Sequence, residues 1–273
     1  MDETSTATPT SRPGNEDPAD QWDTLNAMLV RSKSAARGYV PVPNIFVQKP
    51  RGEVAPDDDR GSLLAQLVKR SDLRGLHTYL LANALITSGD GPDGWSTSYP
   101  LQTWARAVGV TESASGASVG SAMSKVFKRL QGHDLIRRTR HGKDRSVRIT
   151  LLRPDGSGDA YSRNSRAESD RYFKVPIALW DRDANWLGKL SLPALAMLLV
   201  LLHEKPGWVE LPAERFPQWY GWSADTTSRG LEALEAHGIV EMHGHYRAAP
   251  LAPDGRTWVN AYRLTGDFSR DSS

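Results

Sequence analysis

The chain has 273 residues, 39% of them hydrophobic, and a formal net charge of +2; that length holds two compact units of roughly 100 residues each, plus tails. The absence of Cys excludes disulfides and thiolate zinc sites and fits a reducing cytosol. The longest apolar run, Leu190–Leu202, contains Ser191 and Pro193 and is too short to span a bilayer.

In chain order, residues 1–20 lack apolar periodicity and are expected to be disordered. Their acidic, Thr/Pro-rich composition is unlike a secretory signal. Trp22, Leu25 and Leu29 predict a short helix over Trp22–Ser32 that packs on the first unit, so 1–37 reads as an acidic tail with one helical stretch. "GYVPVPNIFV" from Gly38 is an extended segment, and Lys49–Gly61 reads as a loop. An apolar helix pattern follows over Ser71–Thr87, then a Trp-led strand ("WSTSYP"), then a short helix ending at Gly109. A longer helix and a hairpin close this first unit, 38–153. Residues 154–170 are polar and rich in Gly and Ser, which predicts a linker and a loose tether between units.

The second unit, 171–268, repeats the first. "DRYFKVPIALW" matches "GYVPVPNIFV", Ser191–Glu204 matches the first apolar helix, and "WVELP" matches "WSTSYP". Gly221 stands in register with Gly109, while Leu234, His237 and Val240 match Leu130, His133 and Ile136. Residues 269–273 are a tail. A fixed repeat of this size is a strong statement about fold. The charge is not shared equally: 60–153 holds fifteen Lys/Arg against six Asp/Glu, and 171–268 holds ten against eleven. Such asymmetry is a footprint of nucleic-acid contact, and the first unit carries it.

In the second unit, Gly221 supplies a turn and Ser223 caps the helix "ADTTSRGLEALEAHG". Thr227, Leu231 and Leu234 share its inner face, leaving Thr226, Ser228 and Arg229 exposed near the start, suited to base edges. In the first unit the corresponding helix is expected from about Ser118, with Val119, Met123, Val126 and Leu130 buried and Ser121, Ser124, Lys125 and Lys128 outward. Its hairpin places Val147, Ile149 and Leu151 on one face; Arg138, Arg140, Lys143, Arg145 and Arg148 are expected on the other face and the tip, as phosphate contacts. The second hairpin is much less basic.

Other strings are set aside. "GDGPDG" at Gly89–Gly94 lacks the preceding strand and following helix of a dinucleotide loop. "GASVG" around Ser118 lacks the buried strand of a nucleophile elbow, so Ser118 reads as a helix cap. His237, His243 and His245 have no carboxylate at fixed ligand spacing. The helix from Leu195 to Leu202 is apolar all round, which demands burial on more than one side. Either Tyr172–Trp180 caps it, or it packs on another domain or subunit.

"SADTTSRGLEALEAHGIV" resembles the recognition helix and following strand of winged-helix transcription regulators, and the repeat extends the resemblance over both units. The resemblance implies an α+β, helix-rich fold of two winged helix-turn-helix domains with small antiparallel hairpins. It implies sequence-specific binding of double-stranded DNA in the cytoplasm, at the nucleoid, with no catalysis, no cofactor and no membrane. A homodimer contact would fall in the second domain. The expected role is a transcriptional regulator. The tandem layout is also similar to plasmid replication initiators, and a winged-helix adaptor for protein contacts or partition is the third reading.

Overall fold

The computed structural model describes residues 18–50, 61–111, 117–141, 146–163 and 171–270. Helix α1 (Gln21–Leu29) starts at a capping box in which Asp20 and Asp23 each accept the other's backbone N–H. Helix α2 (Lys33–Arg37) ends where Gly38 turns left-handed at φ 75°. Strand β1 (Tyr39–Pro43) leads into a 3-10 turn at Asn44–Phe46. Helix α3 (Leu63–Lys69) precedes α4 (Leu73–Leu85), whose cap, Asp72, accepts from the Gly75 N–H. Then come β2 (Ser96–Pro100), α5 (Leu101–Ala107), α6 (Ala117–Gly132) and the hairpin β3 (Ile136–His141) and β4 (Ser146–Leu151).

The second half repeats this order. Strand β5 (Tyr172–Pro176) leads into a 3-10 turn, α7 (Trp186–Lys189) and α8 (Leu192–His203). Strand β6 (Val209–Glu210), α9 (Phe216–Trp219), α10 (Ala224–Ala236) and the hairpin β7 (Val240–Ala248) and β8 (Arg256–Leu264) complete it. The architecture is α+β, with small antiparallel sheets ordered β2-β4-β3 and β6-β8-β7. Gly109 and Gly221 both turn left-handed, at φ 68° and 84°, each ending the helix before the longest helix of its half.

The halves are not loosely tethered. The two copies of the repeated segment pair with each other: β1 and β5 form an antiparallel ladder with Val40 opposite Val175 and Val42 opposite Phe173. Tyr39 lies opposite Pro176 and Pro43 opposite Tyr172, so the ladder exchanges equivalent positions of the repeat. The chain after β4 is also held: Tyr161 is buried, and Arg163 stacks on Trp95 and Tyr161 at 4.9 and 5.0 Å. Residues 164–170 lie outside the described residues. The short helix expected around Trp22 forms as α1 and docks on the first half, where Gln21 donates to the Ala107 carbonyl and Arg106 to the Thr24 hydroxyl. Residues 1–17 lie outside the described residues.

Helix α8 shows what its all-round apolarity serves. Residues Ala194–Val200 have no exposed surface. Strand β5 and helix α10 of its own half pack on it, and so does α3 of the other half. Both sequence alternatives contribute, and no second copy is needed to cover it. Gly230 of α10 makes the α8 contact close, since a Cβ there would lie 2.5 Å from the Pro193 carbonyl oxygen. One apolar core runs through both halves.

Candidate nucleic-acid interface

Helix α6 buries Val119, Met123, Val126 and Leu130 as their spacing predicts, together with Phe127. Ser121, Lys125 and Lys128 are exposed and Ser124 is half-buried. Arg129 points the other way and forms two hydrogen bonds with Asp72, at 2.7 and 2.6 Å. Burial raises the Asp72 pKa, but Arg129 and the Gly75 N–H outweigh it and hold the carboxyl below its ordinary value. This cation therefore fixes α6 against the start of α4.

The hairpin corrects the sequence reading of its faces. Arg138 lies opposite Ile149 and Arg140 opposite Val147, so both arginines share the face of the apolar residues. That is the α6 side. Arg138 stacks over Phe127 at 5.5 Å and approaches the Ser124 hydroxyl at 3.4 Å. Burial and the Arg140 charge both disfavour its charged form, lowering its pKa. Arg148 belongs to the opposite face, opposite Thr139, and is paired with Asp93 at 2.6 Å. Lys143 and Arg145 lie outside the described residues. What the structure brings together is thus Ser121, Ser124, Lys125 and Lys128 of α6 with Arg138 and Arg140 of β3. Among the described residues no carboxylate forms an ion pair with Lys125, Lys128, Arg138 or Arg140.

In the second half, Ser223 caps α10 and accepts from the Thr226 N–H, and its hydroxyl lies 3.0 Å from that of Thr226. Ser228 and Arg229 are exposed, with Arg229 in a surface ion pair with Asp225 at 2.9 Å. A cleft of about 280 Å³ separates α10 from β8, lined by Thr227, Ser228 and Leu231 on one side and Trp258, Asn260 and Tyr262 on the other. Sequence reasoning missed the chemistry of this hairpin. Met242, Tyr246 and Trp258 are 45%, 58% and 55% exposed, with Arg256 stacked on Tyr246 at 4.3 Å. The alternation of apolar residues with charged and His residues in "VEMHGHYR" was the available signal.

Gly89–Gly94 lies in irregular chain between α4 and β2. Ser118 sits inside the first turn of α6 rather than before it. His133 is buried while His237 is exposed and faces Trp186, so equivalent repeat positions differ in environment. His243 and His245 stack at 6.0 Å, but no group of three metal-ligating side chains occurs among the described residues. No helix among them is long and apolar enough to cross a membrane. Comparison with models of known families, with curated proteins and with solved structures finds no match to this chain.

Proposed function

We propose that the chain binds double-stranded DNA through two winged helix-turn-helix units and acts as a non-enzymatic transcriptional regulator at the nucleoid. The observation that carries this reading is the side of the first half where α6, with Lys125 and Lys128 exposed, packs against β3, so that Arg138 reaches Ser124 and Phe127 and Arg140 lies on the same face of the hairpin. A helix with short polar and cationic side chains fits the major groove while the adjacent hairpin meets the backbone. Cations without carboxylate partners repel each other, and phosphate relieves that repulsion. In the second half, Thr226, Ser228 and Arg229 occupy the base-reading end of α10.

The test is the salt dependence of duplex affinity for the full chain and for a folded variant with Lys125, Lys128, Arg138 and Arg140 all replaced by Ala. The variant is expected to lose affinity for all duplex sequences alike, with a log–log salt slope lower by about 0.9 for each phosphate contact removed. Unchanged affinity and slope would show that this surface is not the contact, and the protein-adaptor reading would take its place.

A further inference from the structure

We infer that strand β7 is a self-pairing edge, which joins two copies of the chain antiparallel in the register that sets Gly244 opposite Gly244 of the second copy. This inference is independent of the nucleic-acid reading. Strand β7 lies at the edge of its sheet and is nine residues long, and only Val240 in it is buried. Exposed edges are normally blunted by charged side chains, Pro or a bulge. This one has no Pro and no Lys, its register against β8 is unbroken from Val240 to Ala248, and its two charged residues, Glu241 and Arg247, are of opposite sign.

The hydrogen-bond directions fix which residues can pair outward. The Ala249 N–H donates to the Gly255 carbonyl and the Thr265 N–H to the Ile239 carbonyl, so odd-numbered residues of this strand turn to β8. Val240, Met242, Gly244, Tyr246 and Ala248 therefore present their N–H and C=O groups to the open edge. The register centred on Gly244 matches them with one another: Val240 with Ala248, Met242 with Tyr246, and Gly244 with itself.

The side chains in that register are also complementary. Glu241 falls opposite Arg247 of the second copy, and His243 opposite His245. Glu241 already pairs with Arg263, and Arg247 with Glu210. Joining the edges extends these into an alternating row, Glu210, Arg247, then Glu241 and Arg263 of the second copy. On the other face, Trp258 and Tyr246 continue into Met242 and Tyr262 of the second copy, covering side chains that are exposed in the single chain. A strand that reads as its own antiparallel complement in hydrogen bonds, charge and apolarity fits a two-fold interface. A competing occupant, nucleic-acid bases stacked on Tyr246 and Trp258, would use neither the open edge nor the Glu241–Arg247 match.

Sedimentation of the full chain is expected to give a dimer that dissociates on dilution. Met242→Pro removes an outward N–H and none of the bonds to β8, so it is expected to give a monomer with unchanged circular dichroism. A second measurement does not depend on that variant folding. The chain contains no Cys, and positions 243 and 245 of the second copy would face each other at the roughly 4.5 Å Cα spacing that suits a disulfide. Under oxidation, a mixture of His243→Cys and His245→Cys proteins should give a covalent dimer, while neither protein alone should. A monomeric full chain, a Met242→Pro protein that remains dimeric, or linkage that ignores the pairing would each overturn the inference. A monomer whose Tyr246 and Trp258 become protected by added single-stranded DNA would assign the surface to bases instead.

Discussion

The two hairpins occupy the same place in the two halves and carry opposite chemistry. Aligned on Ile136 and Val240, the first strands of the two hairpins put Arg138 where the other has Met242, and Arg140 where it has Gly244. The first is a six-residue strand bearing cations beside α6; the second is a nine-residue strand bearing exposed apolar side chains. A repeated frame thus specifies where a surface sits, and a few side chains at fixed register decide what the surface meets.

The helix pairs differ in the same way, and that difference can be broken hardest. Gly230 of α10 corresponds to Val126 of α6, which is buried without trouble. Gly230→Val places branched carbon against the Pro193 carbonyl and Met197. It is expected to destabilise the protein by about 3 kcal/mol or more in denaturant unfolding. Since one core runs through both halves, the transition should stay single; a second transition would show that the halves unfold separately.

The first half has its own vulnerability, to acid. His77 of α4 is buried, and burial, with the nearby Arg74 charge, brings its pKa down to about 4. The folded state thus holds His77 neutral while the unfolded chain protonates it near its ordinary value, so stability is full above about pH 6.5 and falls as the pH drops toward 4. The loss from this group is on the order of 3 kcal/mol across that window. Thermal melts should show the native protein losing stability relative to His77→Leu as the pH falls from about 6.5 toward 4; parallel curves would remove His77 as the cause.

The smallest structural effect separates folding from binding on α10. The Arg229–Asp225 pair is exposed on both sides, so Arg229→Ala should change stability by only about 0.3–0.5 kcal/mol. If Arg229 reads a guanine edge, the same change should cost about 1–3 kcal/mol at the preferred duplex and relax one base pair. Equal losses on preferred and random duplexes would make it a phosphate contact.

The element order was legible because helices and hairpins are local, and the repeat supplied each signal twice. The capped start of α10 and the buried stripes of α6 and α10 followed from spacing alone. The face of Arg138 did not. "IRRTR" has no apolar alternation to fix it, and it depends on register. The pairing of His141 with Ser146 sets Arg138 against Ile149 rather than beside Arg148. The β1–β5 ladder was invisible for a different reason: each strand's sequence says that it is extended, and neither says with what it pairs. The polar composition of 154–170 suggested freedom, yet one buried Tyr161 and the stacked Arg163 suffice to hold its beginning in place.

The β1–β5 ladder also sets a timetable for synthesis. Val42 waits for Phe173, roughly 130 residues later, and at about 5–20 residues per second the ribosome needs from several seconds to nearly half a minute to deliver it. During that interval the emerging first half has a bare strand edge and an α3 surface awaiting α8. Its final closure is a late, long-range step, the slowest kind for a chain whose other contacts are mostly local. A nascent first half is therefore the form of this protein most exposed to wrong partners and to chaperones.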